Sequence, residues 1–84
     1  MNTVNLTQLA PNFTKVTIGD ADFWFSYETC IAFWIHAAGL VVSENIWSNK
    51  IGKHLNKICD KPMRVPHDVF SRKLQQLLEG DLNP

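Results

Sequence analysis

The chain has 84 residues, a formal net charge of zero and 45% hydrophobic residues. A chain of this length is expected to bury one core of at most two packed layers, so residues 1–84 are predicted to form a single domain. The balanced charge argues against a uniformly basic nucleic-acid coat and against an acidic mimic of a phosphate backbone. The aromatic content, three Trp, one Tyr and five Phe residues, argues against intrinsic disorder.

The N-terminal segment, residues 1–12, contains Pro11 and several Asn and Thr residues, a composition typical of an irregular arm. It has no charged n-region and no long apolar run, which argues against a secretory signal. The longest apolar stretch, residues 30–35, is too short to cross a bilayer. We therefore expect a cytoplasmic protein without membrane contact, and in that reducing compartment Cys30 and Cys59 are expected to be free thiols.

The first half of the chain is predicted to form a β-meander. Residues 13–18 form a first short strand that ends at a Gly-Asp turn signal. Residues 22–27 and 30–36 alternate with period two and are predicted to be the two arms of a hairpin. A second turn leads into a further strand over 40–43, which gives an antiparallel meander of three to four strands.

The register of the central hairpin follows from its apolar pattern. A three-residue connection pairs Phe23 with Phe33. It also pairs Phe25 with Ile31, which puts the most apolar set of side chains on one face. A two-residue loop would set Phe23 opposite Trp34 and mix the faces, so we favour the three-residue connection.

The second half of the chain is predicted to be helical. Ser48 is a good N-cap, and apolar residues at helical spacing predict a first helix over about 49–59. After a proline-containing break, residues 63–65 form an extended piece that suits an edge strand, and Pro66 suits the first turn of a second helix, which ends at Gly80. We therefore predict an α+β fold, an antiparallel meander of three to four strands covered on one face by two C-terminal helices.

No catalytic or metal-binding pattern is recognisable in the sequence. His54 and Cys59 point to different sides of the predicted helix, and none of the usual zinc-ligand spacings occurs. Cys30 lies within a strand, where an inert buried thiol with a raised pKa is expected. The glycines stand singly, so there is no phosphate-binding loop. We expect a protein that is not an enzyme and that uses no metal and no cofactor.

The predicted register leaves two tryptophans on the face of the sheet away from the helices. Trp24 and Trp34 share that face with His36 and with small or polar side chains. An exposed patch of this kind usually marks an interface, so these three residues are candidate protein-binding residues. The alternative is that the N-terminal arm folds across the sheet and buries both rings. A homodimer through the sheet face satisfies either expectation.

Charge is distributed unevenly along the chain. Residues 50–73 contain seven cations and two acids, a net charge of plus five, whereas the rest of the chain contains one cation and six acids. This polarity can steer an anionic partner or a nucleic acid onto the helical layer. The alternative is an ordinary solvated helix face whose lysines cluster. The candidate residues for anionic partners are Lys50, Lys53, His54, Lys57 and Arg64.

Three short runs carry a family resemblance. Residues 25–33 contain a Ser-Tyr-x-Thr hairpin, residues 41–48 end in a Trp-Ser cap, and residues 52–56 contain a Lys-His-Leu-Asn helix. Over about residues 22–78 the chain resembles a family of small uncharacterised proteins carried by phages and prokaryotic mobile elements. The chain departs from that pattern at Cys30, where related sequences often place proline, and at Pro66, where a polar cap is expected. The motif residues are Tyr27, Thr29, Trp47, Ser48, Lys53, His54, Leu55 and Asn56.

The resemblance implies a phage-like origin and supplies no reaction or ligand. We therefore expect a non-enzymatic accessory protein of a phage or mobile element that acts in the host cytoplasm by binding a host or viral macromolecule. Inhibition of a bacterial defence system such as a CRISPR effector is one concrete version. The alternatives are a small nucleic-acid-binding protein that uses the basic segment 50–73 and a self-associating structural protein.

Overall fold

Five strands form one antiparallel sheet in which each strand pairs with the next along the chain. The computed structural model describes residues 4–81, with side chains as far as residue 79. The predicted α+β class, a meander followed by two helices, is confirmed, with five strands in place of three or four. The strands are β1 (Val4–Ala10), β2 (Phe13–Ile18), β3 (Ala21–Ser26), β4 (Thr29–Ile35) and β5 (Gly39–Val42). The helices are α1 (Asn49–Ile58) and α2 (His67–Gln76), with a 3₁₀ turn at Lys61–Met63 and a π-helical turn at Leu77–Asp81.

Strand β1 corrects the expectation of an irregular N-terminal arm. The first three residues of that predicted arm lie outside the described part of the chain. From Val4 onward the segment pairs with β2, beginning opposite Ile18, and a bulge lies between Gln8 and Ala10. The side chains of residues 4–9 are all exposed, so β1 has no buried face whose periodicity would mark it as a strand.

The two helices lie on opposite faces of the sheet, which corrects the expectation that both cover one face. Ile51 and Leu55 of α1 pack with Ala32, whereas Phe70 of α2 packs with the adjacent Phe33. Neighbouring residues of a strand point to opposite faces, so the domain has three layers with the sheet in the middle. The expected limit of two layers is therefore also wrong, because the central strands are apolar on both faces.

A bulge determines the register of the central hairpin. The turn between β3 and β4 has two residues, Tyr27 and Glu28, and not the predicted three. Phe23 pairs with Phe33 as predicted, but Phe25 pairs with the residue before Ile31 and not with Ile31 itself. Ile31 is an extra residue in β4 and shifts the pairing by one. This shift allows Phe23 to pair with Phe33 although the turn has only two residues.

Each helix begins at a side-chain oxygen that accepts a backbone hydrogen bond. Ser48 Oγ accepts from the Ile51 N–H at 3.3 Å, as its predicted role as N-cap requires. Pro66 provides no side-chain cap for α2, and Glu44 Oε2 instead accepts from the His67 N–H at 2.9 Å. A carboxylate is favourable at this position because the N-terminus of a helix carries partial positive charge.

The two edges of the sheet differ in whether their backbone groups are paired with another segment. Val65 donates its N–H to the Val42 carbonyl and accepts from the Glu44 N–H, each at 2.8 Å, so it covers part of the outer edge of β5. Val65 thereby forms an isolated parallel bridge with Ser43. This bridge lies within the extended piece predicted at 63–65. At the other edge, β1 pairs with β2 on one side and has no strand on its outer side within the described residues.

Candidate functional site

An apolar groove lies beside α1 on the face of the sheet that this helix covers. Trp24 pairs with Ala32, which packs under α1, and Trp34 lies two residues further along β4. Both rings are therefore on a helix-covered face, and the expectation that they lie on the face away from the helices is wrong. We call this depression the tryptophan groove. It has a volume of about 420 Å³ and is lined by Leu9, Phe13, Asp22, Trp24, Trp34, Leu40, Lys57 and Ile58.

The structure brings Trp24 and Trp34 together in the wall of this groove and places His36 next to Trp34. Trp24 and Trp34 are half-buried in its wall. The exposed ring of His36 lies 5.7 Å from the ring of Trp34, with a tilt of 35°. Lys15 Nζ lies 5.5 Å from the centre of the Trp24 ring, a cation–π distance that helps to hold the indole in place.

The charged groups of the tryptophan groove are unequally compensated. Asp22 accepts a hydrogen bond from Thr17 Oγ1 at 2.6 Å, and its carboxylate lies 3.9 Å from Lys15 Nζ. Lys57, also in the groove wall, has no carboxylate partner among the described residues. The groove therefore presents a free ammonium group beside apolar rings.

His54 belongs to the core and not to the basic surface. Its Nδ1 lies 2.6 Å from Ser26 Oγ, and its ring stacks on Phe13 at 4.7 Å with an interplanar angle of 7°. The ring also donates a hydrogen bond to the backbone carbonyl of Pro11. Because a carbonyl can only accept, the single N–H of the neutral ring goes to Pro11, and Nδ1 accepts from the Ser26 hydroxyl.

The environment of His54 keeps its ring neutral. Burial, and after it the positive charge of Lys57, lowers the pKa of His54 below its usual 6.5, while the bond to the Pro11 carbonyl opposes that shift. A neutral ring enclosed by Ser26, Phe13 and Pro11 is not available to an anionic partner. The structure therefore separates His54 from Lys53 and Lys57 among the candidates for an anionic partner, and its ring instead joins α1 to the sheet.

Two serine–histidine pairs join the helices to the sheet, and neither was expected from the sequence. Ser26 links β3 to α1 through His54, and Ser43 Oγ lies 3.0 Å from His67 Nδ1 of α2. Ser43 donates to the Glu44 carbonyl at 2.8 Å, so it accepts from the His67 ring. Both serines are fully buried, so their hydroxyls are out of reach of a substrate. The sequence signal that could have indicated these pairs is a serine at the end of each of two apolar strands.

A separate polar cleft lies between α1 and the loops that flank it. Arg64 is fixed in its wall, because Nη2 donates to Asn56 Oδ1 at 2.6 Å and to the Cys59 carbonyl at 3.1 Å. Its Nε is buried without an acceptor. Gly52 lets the Asn45 side chain approach α1 closely, since a Cβ at position 52 would lie 2.8 Å from Asn45 Nδ2. The cleft has a volume of about 730 Å³ and is lined by Glu44, Asn45, Asn49, Gly52, Lys53, Asn56, Lys61 and Arg64.

The predicted basic set is divided between these places. Lys53 and Arg64 line the polar cleft together with Lys61, Lys57 lines the tryptophan groove, and Lys50 is exposed on α1 but lines neither. The ion pairs among the described residues are Lys15–Asp22 and Asp68–Arg72. Uncompensated positive charge is therefore concentrated on α1 and the turn that follows it.

Residues 4–81 also contain two cysteines. Cys30 and Cys59 are free thiols, and burial raises the pKa of Cys30 to about 11. This part of the chain holds no cluster of three or more His, Cys, Asp or Glu side chains that could bind a metal ion. None of its helices has the length and apolar character needed to cross a membrane.

The chain matches a known family model over most of its length. Residues 1–72 match the family described as "Family of unknown function (DUF8033)". No curated protein and no solved structure matches the chain.

Proposed function

The chain belongs to this family of unknown function, and we propose that it is a non-enzymatic binding protein that holds a protein partner in the tryptophan groove. The observation that carries the proposal is the presence of Trp24 and Trp34 together in the wall of a groove of about 420 Å³. The exposed Leu9 and Leu40 extend the apolar surface at its rim. Tryptophan is enriched among the few residues that dominate binding energy, because it buries a large area at a small cost in side-chain entropy.

The chemistry of the groove specifies the partner. Its apolar walls fit a large apolar or aromatic side chain. The carboxylate of Asp22 is already compensated by Lys15 and Thr17, whereas Lys57 has no acidic partner in the part of the chain that the structure describes. We therefore infer a partner segment in which an apolar anchor is flanked by Asp or Glu. The ion pair with Lys57 would orient the partner and raise its rate of association, while the apolar anchor supplies most of the affinity.

The proposal includes a biological setting that rests on the sequence resemblance. We infer that the protein is an accessory of a phage or mobile element, acts in the host cytoplasm, and blocks a surface of a host complex such as a CRISPR effector. Occlusion of such a surface requires binding alone, which agrees with a small domain whose serine–histidine pairs are buried.

The first test compares two lysine substitutions at similarly exposed apolar residues. Leu40→Lys introduces a charge inside the groove at a side chain that is 46% exposed, and Ile46→Lys does so outside it at one that is 53% exposed. Tagged wild type and both variants capture proteins from a nuclease-treated bacterial lysate, and quantitative mass spectrometry compares the bound fractions. We expect a stoichiometric protein whose capture falls more than about tenfold with Leu40→Lys and is unchanged with Ile46→Lys.

A second pair of variants tests the proposed charge of the partner. Lys57→Glu should weaken capture of the same protein, and Lys50→Glu, on the same helix but outside the groove, should not. Circular dichroism of each variant separates loss of binding from loss of folding. Equal capture by all variants, or no stoichiometric protein in any lysate, would overturn the proposal.

A second candidate function, nucleic-acid binding, is favoured by the polar cleft. Lys53, Lys61 and Arg64 line it and form no ion pair with a carboxylate of the described side chains, and three asparagine side chains provide further hydrogen-bonding groups. Phosphate oxygens suit a guanidinium that Asn56 and the Cys59 carbonyl hold in a fixed position. If these three cations each neutralise one phosphate, affinity for duplex DNA should fall with a log–log salt slope of about −2.7.

Fluorescence anisotropy with labelled DNA and RNA oligonucleotides tests this second candidate. Lys53→Gln and Lys61→Gln should each reduce the salt slope by about 0.9, whereas Lys73→Gln, an exposed change on α2, should leave it unchanged. Absence of binding at low salt, or an equal effect of Lys73→Gln, would exclude the polar cleft as a nucleic-acid site.

A further inference from the structure

The outer edge of β1 presents unpaired strand backbone. β1 is the terminal strand of the sheet, is seven residues long, and contains neither a charged residue nor proline. An edge of this kind pairs readily with another strand unless charge, proline or a bulge prevents it. The bulge between Gln8 and Ala10 affects one end of β1, which leaves residues 4–8 as a regular edge.

Exposed apolar side chains lie on the same regular segment. Val4 is 60% exposed and Leu6 is 72% exposed. They pair with Ile18 and Val16, which pack against the core on the α2 side, so both side chains point to that face of the sheet. At the edge of β1 this apolar layer is open to solvent, and a further strand beside β1 would extend and cover it.

We propose that two copies of the chain pair through β1 in antiparallel orientation and form one continuous ten-stranded sheet. The midpoint of the regular segment is Leu6, so full pairing of residues 4–8 places the Leu6 side chains of the two protomers opposite each other on the two-fold axis. Val4 of each protomer then lies opposite Gln8 of the other. Identical strands suit each other here because β1 carries no charge to repel its copy and because Leu6, its most exposed apolar residue, faces its own copy.

The dimer is independent of the proposed protein partner. Val4 and Leu6 point to the α2 face, whereas the tryptophan groove lies on the α1 face. A second copy at the edge of β1 leaves the rings of Trp24 and Trp34 accessible. Failure of one proposal therefore leaves the other standing.

Charge placed on the two-fold axis tests the dimer and its register together. Leu6→Lys and Leu6→Glu each bring two like charges together at the axis, so each variant should be monomeric where the wild type is dimeric. An equimolar mixture of the two variants should dimerise again, because Lys then faces Glu. Met63→Lys is the matched control, since Met63 is also 72% exposed but lies in the 3₁₀ turn away from β1.

Sedimentation equilibrium over micromolar to millimolar concentrations measures the association, and circular dichroism verifies that each variant folds. The expected result is a dimer for wild type and for Met63→Lys, monomers for the two Leu6 variants, and a dimer for their mixture. A wild type that stays monomeric at millimolar concentration, or a Met63→Lys variant that dissociates as fully as Leu6→Lys, would overturn the proposal. A mixture that stays monomeric would overturn the pairing centred on Leu6.

Discussion

The substitution His54→Phe isolates the buried contact between α1 and the sheet. Phenylalanine can keep the stack on Phe13, at 4.7 Å in the wild type, but it loses the hydrogen bonds to Ser26 and Pro11. The fully buried Ser26 hydroxyl is then left without its acceptor. An orphaned buried polar group of this kind costs about 1–3 kcal/mol, so we expect the free energy of unfolding to fall by that amount.

A double-mutant cycle separates this cost from the change in packing. Ser26→Ala alone leaves His54 Nδ1 without its donor and should also destabilise the protein. Ser26→Ala combined with His54→Phe removes both polar partners, and the double variant should recover most of the loss. We expect a coupling free energy of about 1–2 kcal/mol, measured by urea denaturation monitored through tryptophan fluorescence.

The same contact makes stability depend on pH. Burial holds the pKa of His54 in the folded protein below the 6.5 that is expected in the unfolded chain. As pH falls, the unfolded chain therefore binds the proton first. The stability contributed by the neutral ring is fully present above pH 6.5 and is lost between 6.5 and the lower pKa of the folded state. Within this window the loss is at most about 1.4 kcal/mol per pH unit.

His54→Phe should remove this pH dependence. Urea denaturation of wild type and variant at neutral pH and at several values below 6.5 gives the two slopes. The slope of the unfolding free energy against pH should be larger for the wild type than for the variant, because the wild type loses stability faster as pH falls. Equal slopes, or a coupling free energy near zero in the cycle, would refute the assignment of a neutral, hydrogen-bonded His54.

Three further predictions concern the helices and the buried thiol. Gly52→Ala would ordinarily add about 1 kcal/mol of helix stability, but its Cβ would lie 2.8 Å from Asn45 Nδ2. Chemical denaturation should therefore show a smaller gain or a loss, and the full gain would contradict the close approach. Phe70→Ala should lower the free energy of unfolding by about 3–5 kcal/mol because the ring packs on Phe33 at 5.6 Å, and a nearly unchanged melting temperature would contradict this. Alkylation of Cys30 by iodoacetamide at neutral pH should be more than about tenfold slower than that of an unstructured cysteine peptide, since burial raises the pKa of Cys30 to about 11. Mass spectrometry measures both rates, and equal rates would contradict this prediction.

The predictable part of the fold is the part where local signals agree with burial. Ser48 caps α1 as predicted, and the helix ends one residue before the predicted boundary. The pairing of Phe23 with Phe33 was predictable because both are large apolar residues in alternating segments. Strand β1 was missed because its exposed side chains have no core to face, and pairing with β2 forms it.

The arrangement of the layers was not predictable from strand periodicity alone. Alternation shows which residues share a face, but strands that are apolar on both sides do not show which helix covers which face. Phe23 and Trp24 are neighbours of this kind, one packing toward α2 and the other toward α1. The bulge at Ile31 also has no local signature, and it places Ile31 on the same face as Ala32.

The candidate site shows the same division between local and tertiary information. Trp24, Trp34 and His36 were grouped correctly, because residues two apart or directly paired across strands share a face. The position of His54 was not predictable because it lies at the border between the polar and apolar sides of α1, where helical spacing does not decide which way the ring points. Its inward position depends on Ser26 and Pro11, which are distant in sequence and meet the ring through the fold.

One geometric mismatch accounts for both proposed contact surfaces. A sheet of five strands spaced about 4.8 Å apart measures roughly 19 Å between its outer strands, whereas a helix with its side chains is about 10 Å wide. A single helix on each face therefore covers about half of that face. On the α1 side the uncovered part contains Trp34 and Leu40, and on the α2 side it contains Val4 and Leu6. A monomer of this design exposes apolar surface on both faces, so a partner in the tryptophan groove and a second copy at β1 each cover surface that the two helices are too narrow to reach.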